Sequence, residues 1–338
     1  MPGTAGTPAP FYTPPLHHPV HRFGARTLDF SRQVALMAII NRTPDSFYDG
    51  GATFALDAAV AASLAAVDDG ADWVDIGGVP FAPGPALGAK EEADRVVPVI
   101  AAVSAASNVI ISVDTFLPEV ALRSIAAGAH VINDTTGLAN PEIAAVVAQS
   151  GAHLIITHSL AKPRTVFPRP RYGDVVLEVA AFLNEKVELA MSLGVPPEKI
   201  IIDPGHDLNK NTLHTLEITR RFNEIAALGF PSLAAVSNKD FIGETLNQDK
   251  AARLEGSLAT GVICILGGAR ILRMHNVASA NSAIRMTEAV LGWREPAYLK
   301  HNMGDINEPA NIQPWHSPNR NIQASTAGPP PPNTMSTP

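Results

Sequence analysis

Residues 109–133 read VIISVDTFLPEVALRSIAAGAHVIN. VIISVD (109–114) is a short β-branched run of strand type. LPEVALRSIAAGA (117–129) repeats apolar residues at helical spacing and closes on a glycine, as helices with a left-handed cap do. HVIN (130–133) is strand-like again. A strand, a crossover long enough to hold a helix and a second strand make a parallel unit whose helix lies on the outside of the sheet.

The same alternation runs outward in both directions. Strands are expected at VALMAII (34–40), WVDI (73–76), HLIIT (153–157), KIIID (199–203), SLAAVS (232–237) and RILRM (270–274), which with 109–114 and 130–133 makes eight. LDAAVAASLAAVDDGA, PEIAAVVAQSGA and DVVLEVAAFLNEKVELAMSLGV supply further glycine-ended helices. Eight such units close naturally into a (β/α)8 TIM barrel of the α/β class. The rival is an open doubly wound sheet, but no G-x-G-x-x-G opens a helix after the first strand. The barrel is expected over 32–295. Residues 1–31 and 296–338, rich in Pro and Gly with little periodicity, are expected to be flexible tails unable to bury enough apolar surface to order themselves. His17, His18 and His21 read as solvated tail histidines, because no second ligand cluster accompanies them.

The chain has 338 residues, 46% of them apolar, enough for one large core. Lys plus Arg is 25 against 32 Asp plus Glu, a formal charge of −7, so no global field draws nucleic acid or an anionic membrane surface. Small-molecule partners are expected instead. The single Cys264 sits inside TGVICILGGA, where a thiol behaves as a small hydrophobe and fits a reducing compartment. The N-terminal stretch has no secretory apolar core and the chain has no apolar run of about 18 residues, so a cytoplasmic, non-membrane protein is expected.

In such barrels function gathers at the C-terminal rim. The strand ends carry Asn41, Asp75, Asp114, Asn133 with Asp134, His158, Asp203, Ser237-Asn238-Lys239, and Arg273 with His275. Asp114, Asn133, Asp203 and Lys239 converging on one cavity would suit a heterocycle with an amidine-like edge; singly, each carboxylate could merely cap a helix. Arg273, His275 and Asn41 form a second subset, suited to a phosphate or pyrophosphate with magnesium, or else to an Arg–carboxylate pair in a polar rim. The stretch NRTPDSFYDGG (41–51), which follows the first strand, reads either as an ordinary turn or as a functional loop.

NRTPDSFYDGG, ADWVDIGG, ISVDTF, VINDTTG, IIDPG, VSNKDFIGETL and RMHNV occur in the order and near the spacing of the motifs of dihydropteroate synthases, and the resemblance covers roughly residues 34–292. That family joins 6-hydroxymethyl-7,8-dihydropterin diphosphate to 4-aminobenzoate, giving 7,8-dihydropteroate and pyrophosphate. The resemblance implies a transferase of folate biosynthesis in which Asp114, Asn133, Asp203 and Lys239 hold the pterin. Asn41, Arg273 and His275 would hold the diphosphate, and Asn41 would bind Mg2+. Asp45, Lys239 and Arg273 would be catalytic, with Asp45 in a mobile first loop that closes over substrate. It also implies a homodimer formed through the last helices.

The departures lie on the acceptor side. Where the family has Glu-Ser-Thr-Arg-Pro-Gly this chain has VPFAPG, with Phe81 and Ala82 in place of Thr and Arg. Ser-Arg-Lys becomes Ser237-Asn238-Lys239, the glycine-rich stretch after DPG becomes His206-Asp207-Leu208-Asn209-Lys210, and Arg42 stands where Val is usual. Losing a bidentate guanidinium costs turnover heavily, unless Arg42 or Arg164 substitutes for it. An inactive or repurposed paralogue that still binds a pterin-like ligand is therefore the alternative reading. Methyltetrahydrofolate-binding methyltransferases share the pterin-binding barrel but handle no diphosphate, and Arg273 with His275 argue against them.

Overall fold

All eight expected strands form. The structure, a computed structural model, describes residues 13–41, 56–80, 84–161, 164–165 and 169–302. A two-stranded antiparallel hairpin, β1 (Val20–Phe23) and β2 (Arg26–Asp29), comes first. The barrel strands follow: β3 (Ala35–Asn41), β4 (Trp73–Gly77), β5 (Ile110–Asp114), β6 (Val131–Asp134), β7 (His153–Thr157), β8 (Ile200–Asp203), β9 (Ser232–Ala234) and β10 (Ala269–Met274). They close in the order β10-β3-β4-β5-β6-β7-β8-β9, every pairing parallel.

The crossovers carry α1 (Leu56–Asp68), α2 (Ala89–Ala106), α3 (Pro118–Ala126), α4 (Glu142–Ser150), α5 (Val175–Ser192), α6 (Thr212–Arg220), α7 (Phe222–Ala226), α8 (Asp240–Leu246) and α9 (Leu254–Leu266), and α10 (Val277–Val290) follows the last strand. Barrel and hairpin form one compact unit, Phe11–Glu295. Among the described residues no helix is long and apolar enough to cross a membrane.

Two apolar cores divide along strand parity. Leu36, Ala38 and Ile40 face the helices, packed with Val74, Ile111, Ile132 and Leu154. Ala35, Met37, Trp73, Ile110, Val131, Ile155, Ile201, Leu233 and Ile271 fill the barrel interior. Because side chains alternate across a strand, each inward register fixes which residue two or four places on faces the C-terminal mouth.

The hairpin corrects the expectation of a flexible segment over residues 1–31. Phe23, Leu28 and Phe30 are buried and belong to the interior core, closing the barrel floor beneath Trp73 and Ile110. Phe23 stacks on His153 with ring centroids 4.0 Å apart, and buried Arg270 donates from Nε to the Phe30 carbonyl at 2.8 Å. His21 is not a solvated histidine: it is 1% exposed, edge-on to Phe30 and 5.4 Å from His153. An open barrel end exposes the apolar ends of several strands at once, which gives a short segment of weak periodicity enough surface to order against. Residues 296–302 of the expected C-terminal tail are exposed and in no helix or strand, and residues 1–12 and 303–338 lie outside the described residues.

The last helix ties the barrel shut. Buried Glu288 on α10 accepts the Val34 backbone N–H at 2.8 Å, Arg285 Nη1 at 2.8 Å and Arg294 Nε at 2.9 Å, and Arg285 Nη2 reaches Asp72 at 2.9 Å.

Candidate active site

At the C-terminal mouth lies a cavity of about 350 Å³, within the range of small-molecule sites. Asn41, Asp114, Asn133, Asp203, Lys239, Arg273 and His275 all line it. Parity accounts for most of this. Asn41 lies four and six residues beyond inward Met37 and Ala35, Asp114 four beyond inward Ile110, and Asn133, Asp203 and Arg273 two beyond inward Val131, Ile201 and Ile271. The same rule removes two strand-end residues from the cavity. Asp134 points the other way and holds its own loop, accepting from Thr136 N at 2.7 Å, Thr136 Oγ1 at 2.6 Å and Leu138 N at 3.2 Å. His158 packs edge-on against Phe182 and bonds Lys210 Nζ through Nδ1 at 2.8 Å.

The hub of the polar floor is Asp75, a strand-end residue that belongs to neither of the two predicted subsets. It is fully buried and takes a short hydrogen bond from Ser112 Oγ, one from Asn133 Nδ2 at 3.1 Å and one from Arg273 Nε at 2.7 Å. A carboxylate inside the apolar run WVDIG was the available signal, since burying it demands partners. With its amide nitrogen committed to Asp75, Asn133 is left with a buried Oδ1 that has no donor among the described residues, and Thr157 Oγ1 on the cavity wall has no partner among them either. Buried polar atoms without partners are uncommon and mark places where a ligand or water belongs.

Charge is poised across the floor. Burial pushes Asp114 up to about 7, helped by nearby Asp75 and opposed by Arg273, whose Nη2 stands 3.8 Å away. Asp203 is raised to about 6 by burial against the Gly205 N–H, which donates to it at 2.7 Å, and against Lys239. Burial lowers Lys239, whose side chain makes no hydrogen bond or ion pair among the described residues, while its carbonyl accepts from Arg253 Nη1 at 3.2 Å. For Arg273 burial is outweighed by Asp75 and Asp114, so its guanidinium holds its proton more firmly than usual.

Gly205 has φ +67°, and a Cβ there would stand 2.2 Å from the His158 carbonyl oxygen, so the turn after β8 admits only glycine.

On the acceptor side, Asp207 (φ +63°) reaches over to α8, where its Oδ2 accepts the N–H groups of Asp240 at 2.8 Å and Phe241 at 3.3 Å. Asn238 is left-handed too (φ +56°), its N–H given to Ser257 Oγ at 3.0 Å and its carbonyl accepting from Arg253 at 3.0 Å. Arg164 donates from Nε to the Pro85 carbonyl at 3.1 Å and is not among the residues lining the cavity. Asp45, Arg42, Phe81 and Ala82 lie outside the described residues.

Residues 37–275 match the profile of the pterin binding enzyme family. The chain belongs to that family. Its pterin-binding barrel is 44% identical over 267 residues to a protein of Mycobacterium tuberculosis named inactive dihydropteroate synthase 2, covering 77% of this chain and 84% of that one. The dihydropteroate synthase of Escherichia coli is 38% identical over 261 residues, covering 77% of this chain and 93% of the enzyme. Among solved structures, Xanthomonas albilineans dihydropteroate synthase with 4-aminobenzoic acid superposes with a TM-score of 0.75 at 36% identity, covering 81% of this chain and 98% of that one. The pterin-binding barrel is thus of the dihydropteroate synthase type, and it is similar both to catalysts and to a relative named inactive.

Proposed function

We propose that the cavity binds 6-hydroxymethyl-7,8-dihydropterin diphosphate and that the chain works as a dihydropteroate synthase-type transferase on it. The observation that carries the reading is the floor itself: two carboxyls poised to ionise surround one cavity with an amide oxygen that lacks a donor and a lysine side chain that lacks an acceptor among the described residues. A pterin offers N–H groups along one edge and acceptors along another, which pairs with Asp114, Asp203 and Asn133 on one side and with Lys239 on the other.

Arg273 and His275 at the end of β10, with Asn41 at the end of β3, line the same cavity and are assigned to the departing diphosphate. Arg273 is fixed by Asp75, so it meets the developing charge already oriented. In the reaction the carbon–oxygen bond to the diphosphate breaks with its electron pair going to pyrophosphate, the pterin spreads the positive charge, and an acceptor amine attacks and loses a proton. Asp45, in the first loop, is proposed to face that cation.

Magnesium fits as an ion carried by the diphosphate. Asn41 on the wall would hold it through its amide oxygen, and among the described residues no cluster of three His, Cys, Asp or Glu could cage a metal. When bound, it would offset phosphate charge.

4-Aminobenzoate is the first acceptor to test. A second reading, binding without condensation, is favoured by Asn238 and Asp207 on the acceptor side and by the 44% identical relative named inactive. Purified protein incubated with the pterin diphosphate, 4-aminobenzoate and magnesium should yield dihydropteroate. Heat on titrating the pterin diphosphate without product formation selects the second reading, and no heat removes both. A homodimer belongs to the proposal as well, supported by exposed Ile263 on α9 and Met286 and Val290 on α10; sedimentation at monomer mass would end it. So does a cytoplasmic setting, supported by the lone buried Cys264 and tested by fractionation.

A further inference from the structure

The pterin is assigned to the floor of the cavity and its diphosphate to the ends of β3 and β10, so the acceptor amine is expected along the wall that holds Leu208, Asn238 and Lys250. With its amine turned toward the floor, an aromatic acceptor presents its opposite end to the mouth. Leu208 gives the ring an apolar flank, and the rim of the mouth selects what that far end carries.

Lys250 reaches the rim because the chain around it is clamped. Asn247 ends α8 in the left-handed conformation (φ +52°), and the Gln248 N–H donates to the Gly243 carbonyl at 3.0 Å, which turns the chain back toward the mouth. Arg253 then ties both flanks of the segment to the stretch after β9. Its Nε donates to the Gln248 carbonyl at 3.2 Å, and its Nη1 donates to the carbonyls of Asn238 at 3.0 Å and Lys239 at 3.2 Å and to Asp240 Oδ1 at 2.9 Å. A single 3-10 turn, Lys250–Ala252, lies inside this clamp and places Lys250 on the cavity wall.

The charged surroundings of Lys250 are specific. Burial lowers its ammonium from the usual lysine value, Asp240 opposes that shift, and Arg253 and Lys239 add to it. The two carboxylates of the same wall have donors of their own: Asp240 pairs with Arg253 at 2.9 Å, and Asp207 accepts from the N–H groups of Asp240 and Phe241 and from Thr215 Oγ1. Asn238, which stands where the dihydropteroate synthase pattern has arginine, is neutral. Lys250 brings a cation to the same wall from the far side of α8.

We propose that Lys250 is a specificity-determining residue that pairs with the carboxylate of the acceptor, so that this chain selects an aromatic amine with an anionic group at the end opposite the amine. The inference rests on the transferase reading of the cavity and adds to it the residue that chooses the second substrate. An ammonium on a flexible stem at a partly exposed rim gives a modest preference rather than an absolute one.

The test is calorimetry on the full chain, with magnesium and pyrophosphate present, using 4-aminobenzoate and its uncharged counterpart 4-aminobenzamide. The unaltered protein should bind the acid about threefold to tenfold tighter than the amide. Lys250→Met, which keeps the length of the stem and removes the charge, should abolish that preference by weakening the acid while moving the amide less than about twofold. Lys250→Arg should keep it. Equal affinity of the unaltered protein for acid and amide, no binding of either, a preference that survives Lys250→Met, or an equal loss of both ligands in that variant overturns the inference. So does a fall in affinity for the pterin diphosphate in Lys250→Met as large as that for the acid, which would assign the cation to the diphosphate. Titration of the unaltered protein with the pterin diphosphate separates the failures: heat there confines the failure to the acceptor, and its absence sinks the transferase reading.

Discussion

Asp75 decides how the floor of the site is charged, because Ser112, Asn133 and Arg273 all depend on it. Asp75→Asn keeps the shape but sets amide hydrogens against donors and leaves Arg273 with only Asp114, at 3.8 Å. Removing one partner of a buried pair costs about 3–5 kcal/mol, so the urea midpoint should drop accordingly and pterin affinity should fall at least tenfold by calorimetry. The carboxyls also predict a pH dependence. Asp114 and Asp203 are raised to about 7 and about 6, so at low pH they are protonated and cannot accept two donors from a ligand. A ligand that donates to them favours their ionised forms and pulls both values down. Binding therefore strengthens as pH rises from about 5.5 to about 7.5 and releases protons, which titrations in buffers of different ionisation enthalpy will count.

At the scale of elements, the hairpin β1–β2 is a structural plug with its own pH signature. Burial lowers His21 to about 4 and His153 to about 2. Their folded values lie below the ordinary value of 6.5, so their contribution to stability is complete above 6.5 and is lost as pH falls toward 4. Each adds a slope of about 1.4 kcal/mol per pH unit in that window. Asp114 and Asp203 act with the opposite sign, favouring the fold at low pH and losing that contribution as pH rises through about 6 to 7. Comparison of the unaltered protein with His21→Phe combined with His153→Phe isolates the plug: unfolding free energies between pH 6.5 and 4.5 should lose about two protons of slope.

For the whole molecule, closing the barrel brings the two ends of the strand series together, β10 beside β3, and the Glu288 network fastens α10 across that seam. Glu288→Ala leaves the Val34 N–H without its acceptor and takes one carboxylate from Arg285, which keeps Asp72, and from half-exposed Arg294, and should cost about 1–3 kcal/mol in denaturant unfolding while leaving the cavity residues in place. The acceptor mouth is a property of the same scale, because Asp207 follows β8 and the N–H groups it occupies follow β9.

The alternation of β-branched runs and glycine-ended helices by itself determined the barrel, since each parallel return needs an outer crossover and eight such returns close. It also determined which residues stand at strand ends; the closed barrel then fixed which parity faces inward, turning Asn41, Asp114, Asn133, Asp203 and Arg273 to the cavity and Asp134 and His158 away from it. Only the tertiary structure decided that Asp75 holds Arg273, that residues 20–30 plug the floor and that Asp207 fills the start of α8. Each of these is a contact between segments far apart in the chain, formed because a buried charge or an open apolar end must find a partner wherever closure brings one. Local propensity and periodicity carry no record of that choice.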